Sequence, residues 1–206
     1  MDPLPGDPMS SPKANPREGK LDTALLILDA QVGIVDQYAS SAVMDTLAQV
    51  ISVARSVRVP IVYVRFALRG NCLEVNRRNT KFASLALQGR FGEEDAETQI
   101  HPAVAPLPDD VIVTKKRFGA FSGSDLDIVL RSIDVQHLVM AGITTSGVVL
   151  STLRQAADLD YGVVVLADGC ADPDPEVHRV LLDKIFPMQA TVLLADTWFA
   201  GVAQRE

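Results

Sequence analysis

From Leu21 onward, short and nearly continuous apolar runs alternate with segments of helical period. The runs cover residues 24–28, 61–64, 111–113, 137–141, 163–167 and 191–194, and Gly, Pro or Asp bounds them. Continuous apolar runs of this length are how strands read when both faces of a parallel sheet are covered. Between them, Val43, Leu47, Val50, Ile51 and Ala54 recur at i, i+4, i+7, i+8 and i+11. Leu126, Val129, Leu130 and Ile133 form a second helical stripe. Val148, Val149, Thr152, Leu153, Ala156 and Ala157 form a third, and Val177, Val180, Leu181 and Ile185 a fourth. Asp174-Pro175-Glu176 supplies a cap, a first-turn proline and an early acid, the signature of a helix start. Alternating strand and helix at this spacing predicts a three-layer αβα fold. Its centre is an open, mostly parallel, doubly wound sheet of six strands.

Two stretches break the rhythm. Residues 1–20 are rich in Pro, Ser, Gly and charge and read as a flexible arm before a single domain over 21–206. Residues 67–110 carry only two weakly helical patches. So long an irregular segment in a compact domain usually covers a site.

Composition narrows the function. Of 206 residues, 19 are Lys or Arg and 26 are Asp or Glu, a net charge of −7. This balance argues against a nucleic-acid or anionic-membrane surface. No apolar run approaches the roughly 18 residues of a membrane span. The two cysteines, Cys72 and Cys170, lie too far apart in sequence to read as a zinc site or a disulfide framework. A reduced, cytoplasmic setting is expected.

Open α/β sheets bind ligands beyond the carboxyl ends of their strands. The first strand ends at Asp29 in LLILDAQVG, and the third at Lys115 in VIVTKKRFGAF. The fourth runs into Gly142-Ile143-Thr144-Thr145-Ser146-Gly147-Val148, a turn that opens a helix. A carboxylate, an ammonium and a helix N-terminus are thereby expected to share one crevice. Each alone reads equally well as a cap, a solvated lysine or a plain turn. Gln31, Phe66 and Phe121 are candidate pocket walls. His101, His137 and His178 read as structural.

These blocks, in this order over residues 22–195, resemble the isochorismatase-like hydrolases of the cysteine hydrolase superfamily. The resemblance implies a parallel α/β fold, a small-molecule substrate and a homo-oligomer, dimer or tetramer; the chain lacks the Asp-x-His pairing with which nicotinamidases of the superfamily bind a metal, so no metal or other cofactor is expected. It maps a catalytic Asp onto Asp29 and a catalytic Lys onto Lys115 rather than Lys116. It also implies a cis Ile143–Thr144 peptide and an oxyanion site at Thr144, Thr145 and Val148. The amidase branch keeps a nucleophilic cysteine where this chain has Val148, and a valine has no lone pair for attack on a carbonyl. The expected reaction is therefore hydrolysis of a small anionic or polar metabolite, with Asp29 as general acid/base. Two alternatives remain: a non-catalytic binding member of the fold, and an amidase using an unusual nucleophile such as Cys170. Asp29 must hold a proton for the first reading. Burial favours that and Lys115 opposes it.

Overall fold

A computed structural model describes residues 22–203. The expected arm, residues 1–20, lies outside the described residues. Six strands form one sheet: β1 (Thr23–Leu28), β2 (Ile61–Phe66), β3 (Val111–Lys115), β4 (His137–Ile143), β5 (Gly162–Ala171) and β6 (Thr191–Leu193). Their order is β3-β2-β1-β4-β5-β6, and every neighbouring pair is parallel. The predicted αβα sheet is thus observed, and it is wholly parallel.

The helices are α1 (Val32–Tyr38), α2 (Ser41–Ser56), α3 (Thr80–Leu87), α4 (Leu126–Ser132), α5 (Leu150–Asp158), α6 (Pro175–Val180) and α7 (Ala195–Ala203). A wider π turn, Thr145–Val149, feeds α5, and a second one, Leu181–Ile185, prolongs α6. At the start of α6, the Asp174 carboxylate accepts from the Glu176 and Val177 amides, as the Asp-Pro-Glu sequence predicts.

Side-chain alternation along β1 divides the core in two. Ala24, Leu26 and Leu28 pack with Leu126, Leu130 and Leu153 of α4 and α5. Leu25 and Ile27 pack with Leu47, Val50 and Ala54 of α2 and with Trp198 of α7. Strand residues point alternately to the two faces, so a strand covered on both, such as β1 after Thr23, is a continuous apolar run. A third cluster of Phe66, Leu68, Phe82 and Phe91 sits past the carboxyl end of β2. Phe66 ends β2, and the other three come from the segment 67–110, which contains α3 and two single 3₁₀ turns.

The chain winds outward from β1 through β2 to β3, then returns to the other side of β1 for β4. The strand order therefore reverses between β1 and β4, and a crevice opens there. Gly142 allows the two strand ends to approach. Its φ is +153°, and a Cβ at this position would lie 2.1 Å from the Leu28 carbonyl oxygen. Gly142→Ala is expected to push β4 away from β1. The cost should be roughly 1–3 kcal/mol, read as a fall of several degrees in Tm. An unchanged thermal unfolding curve would contradict this account of the contact.

Candidate active site at the strand switch point

Asp29 directly follows β1. Its backbone is left-handed (φ 52°), a conformation that aspartate tolerates better than most residues. Its amide donates to the Val64 carbonyl (2.8 Å), and its own carbonyl accepts from the Gln31 amide (2.7 Å). This tight turn lifts the carboxylate off the sheet into the crevice. Lys115 ends β3, two strands away. Adjacent strands lie about 4.8 Å apart, so the gap to β1 is about 10 Å, which the four-carbon stem of lysine can bridge. The ammonium passes over Phe66, 5.3 Å from its ring centroid, and pairs with Asp29 Oδ2 at 2.8 Å. It also donates to the Arg117 carbonyl at 2.9 Å. Both side chains are buried, at 2% exposure for Lys115 and 7% for Asp29.

The second oxygen of Asp29, Oδ1, is buried and has no hydrogen-bond partner. Burial is the larger influence on this carboxyl and holds its pKa above the ordinary 3.8. The charge and hydrogen bond of Lys115 pull it down without cancelling that effect. Of the two opposed influences that the sequence left undecided, burial is the larger. Lys116 turns away, and its ammonium pairs with Glu93 at 2.7 Å.

The Ile143–Thr144 peptide is cis. Thr144 caps the following turn, its hydroxyl accepting from the Gly147 amide (3.1 Å). Asp172 takes the Ser146 amide at 2.6 Å. The side chain of Thr145 is fully buried. Its hydroxyl donates to the Ala171 carbonyl (3.1 Å) and stands 2.8 Å from His178 Nδ1.

A cavity of about 470 Å³ opens over this point, a volume suited to a small ligand. Asp29, Lys115, Phe66, Thr144 and Val148 all line it. Gln31, Phe121 and Thr145 are not among its lining residues. Gln31 is wholly buried. Its amide donates to the Phe66 and Thr98 carbonyls (2.8 and 2.7 Å) and its oxygen accepts from the Phe66 amide (2.7 Å). It thereby extends the β1–β2 ladder with a side chain, because an amide can both donate and accept as a peptide does. Phe121 stacks on Tyr161 against the core of α4 and α5.

Phe118, in the same loop as Phe121, does face the cavity, as do Phe82 and Phe91 from segment 67–110. Ile34, Gln37 and Tyr38 enter from α1. The sequence marked 67–110 as a site cover but gave no period from which to choose these residues.

Neither cysteine is among the residues lining the cavity. Cys170 is buried in the core beside β4, and burial pushes its thiol up to about 12. A thiol that weakly acidic is a poor nucleophile. The Cys72 thiol donates to the Arg69 carbonyl in the 67–110 segment. Among the described residues, no three His, Cys, Asp or Glu side chains cluster to hold a metal ion, and no helix is long and apolar enough to cross a membrane.

The isochorismatase domain model matches residues 23–197. An uncharacterized isochorismatase family protein of Bacillus subtilis is 32% identical over 166 residues, covering 80% of this chain and 86% of its own. The ureidoacrylate amidohydrolase of Stutzerimonas stutzeri is 27% identical over 209 residues, covering 88% and 79%. Among solved structures, a cysteine hydrolase from Pseudomonas syringae pv. phaseolicola superposes with a TM-score of 0.82 at 23% identity. That match covers 90% of this chain and 94% of the other, and at this identity it speaks for the fold alone. With the switch-point site on one continuous match from β1 into α7, the chain belongs to the isochorismatase family of hydrolases.

Proposed function

We propose that this chain hydrolyses a small anionic or polar metabolite with Asp29 as general acid/base, without a covalent cysteine intermediate. The observation that carries this reading is the divided carboxyl group of Asp29. Oδ2 is held by Lys115, while Oδ1 is buried, unpartnered and part of a residue that lines the cavity. A buried polar atom without a partner is costly, so a group that completes it on substrate binding is favoured. Val148 adds an apolar wall where the amidase branch keeps sulfur, so no thioester forms there. In the proposed cycle, protonated Asp29 gives its proton to the departing part of the substrate. Water adds to the electron-poor carbon that results, and a proton from that water returns to the carboxylate. The Lys115 ammonium stabilises Asp29 while it is ionised. The setting proposed is cytoplasmic and the protein self-associating. Exposed Leu73 and Leu87 agree with a covered surface in an oligomer.

The test is a pH–rate profile on a panel of small enol ethers, carbamoyl compounds and amides, before and after iodoacetamide. The protonated form of Asp29 is the active acid, so kcat/KM should fall as pH rises through its raised pKa. Alkylation should leave the profile unchanged. Inactivation that tracks modification of Cys170 or Cys72 would overturn the cysteine-independent route. Val148 also favours a second reading, a binding member of the fold with no turnover. Binding without hydrolysis across the panel would be its mark.

A further inference from the structure

Thr144, Ser146, Gly147 and Val148, in the turn after β4, line the cavity that Asp29 also lines. Thr145, in the same turn, does not. Its side chain is fully buried and turns the other way, toward the place where the end of β5 meets α6. The turn is tied to that seam at two points. The Ser146 amide donates to Asp172 Oδ2 at 2.6 Å. The Thr145 hydroxyl lies between the Ala171 carbonyl (3.1 Å) and His178 Nδ1 (2.8 Å).

The first tie has only one polarity, because an amide donates and a carboxylate accepts. The second depends on where the imidazole carries its proton. A hydroxyl has a single proton to give, and a carbonyl can only accept. Ala171 therefore takes the Thr145 proton, and the hydroxyl offers His178 its lone pairs. With hydrogen on Nδ1, both contacts are hydrogen bonds. With a bare Nδ1, two acceptors share one proton, and one of the two contacts sets lone pair against lone pair around a buried hydroxyl. The neutral ring of His178 is thereby assigned the Nδ1–H tautomer. His101 shows the opposite arrangement. Its Nδ1 accepts from the Ala103 amide at 3.2 Å, so its neutral ring keeps the proton on Nε2.

The helix that carries His178 is itself held firmly. The Asp174 carboxylate caps α6, and the Asp174 carbonyl accepts from the His178 amide at 2.9 Å. Just beyond α6, Leu181 and Leu182 are buried in the core. His178 thus reaches the turn from a fixed base.

We propose that His178 is a positioning residue. Its Nδ1–H holds the Thr145 hydroxyl, the hydroxyl holds the end of β5, and the cavity wall made by Thr144, Ser146, Gly147 and Val148 is kept in place. His178 is not among the cavity-lining residues, so it acts through Thr145. Its effect on turnover rests on the hydrolytic reading above, whereas its effect on the turn does not.

The test combines imidazole spectra with variants of the full chain. The chain has three histidines, so nitrogen–proton correlation spectra are assigned to His178 by the signals that His178→Asn removes. At about pH 8, above the ordinary imidazole range, His178 should carry its hydrogen on Nδ1 and His101 on Nε2. His178→Ala should displace the backbone amide resonances of residues 144–148. It should also lower kcat/KM on the panel compounds by roughly 10- to 100-fold, the scale of a misplacement of about an ångström. Asparagine sets an amide N–H near the position of Nδ1, so His178→Asn should restore the resonances and bring the rate to within about threefold of wild type. Glutamine is one carbon longer, and His178→Gln should restore neither. A bare Nδ1 on His178, wild-type turn resonances or wild-type rates in His178→Ala, or an Asn variant no better than the Gln variant would each overturn the proposal. Should His178→Ala fail to fold, the wild-type tautomer and the comparison of Asn with Gln decide it. The two readings also fail separately. If no panel compound is hydrolysed, the reaction is lost and the spectra still decide the positioning role. Hydrolysis by a chain whose His178 Nδ1 is bare does the reverse.

Discussion

Asp29→Asn is expected to lower kcat/KM by roughly 10²–10⁴-fold, the usual contribution of a positioned general acid, while the protein remains folded and still binds its ligand. The substitution removes the proton that Oδ1 would deliver and changes little else. An asparagine oxygen can still accept from the Lys115 ammonium, whose bond to Oδ2 spans 2.8 Å. The Lys115 bond to the Arg117 carbonyl is untouched, so the buried ammonium keeps two acceptors. The backbone of Asp29 is left-handed at φ 52°, a conformation asparagine also adopts readily. Steady-state rates on the panel and calorimetric titration of the same preparation separate chemistry from binding. If the variant turns over within about threefold of wild type, a factor well below any positioned acid, Asp29 is not the acid.

Asp29 and Lys115 stood out in the sequence because they end strands, and open α/β sheets place their chemistry there. The six strands were legible for a related reason. A strand covered on both faces is apolar along its covered length, as β1 is after Thr23 and β4 after His137. Helices α2 and α4 carried clear stripes. By contrast, α1 has seven residues, with Gly33 in its second position and no side-chain cap, and so gave neither a period nor a start signal. Helix α7 was missed because apolar Trp198 and Phe199 are adjacent and blur a one-sided stripe.

Side-chain direction within loops was not legible. Gln31 and Phe121 are of the right types and in the right segments for a pocket wall. Gln31 instead completes a ladder with Phe66, and Phe121 stacks on Tyr161. The loop after β3 has no repeating period, so nothing local decides that Phe118 rather than Phe121 faces the cavity. Packing against distant residues decides it, as with the 3.0 Å bond from the Ala120 amide to the Thr152 hydroxyl of α5. The contact between Thr145 and His178 joins residues 33 apart and left no local trace in the sequence.

Lys115→Met is expected to cost the fold about 3–5 kcal/mol near neutral pH, the usual penalty for removing one partner of a buried ion pair. In a chain of this length, that is a fall in Tm on the order of 10 °C. Methionine fills most of the volume of the lysine stem, so the loss is electrostatic rather than a cavity effect. The deficit should depend on pH, and its sign follows from Asp29. Because burial already raises the folded-state pKa of this carboxyl above 3.8, stability is full below the unfolded value and is lost as pH rises through the folded one. Lys115 opposes that rise with its charge and its hydrogen bond. Without it the folded value climbs further, so the variant falls progressively behind wild type as pH rises past the wild-type folded value. Below the ordinary carboxyl value of 3.8 Asp29 is mostly protonated in both proteins, and what remains is mainly the unpaired Arg117 carbonyl. Thermal unfolding at about pH 3 and about pH 8 should therefore show a small and a large deficit. The same shift should move the falling limb of any residual activity to higher pH. Equal deficits at the two pH values would mean that Lys115 supports the fold by packing alone, and that its pairing with Asp29 contributes nothing to the energetics of the site.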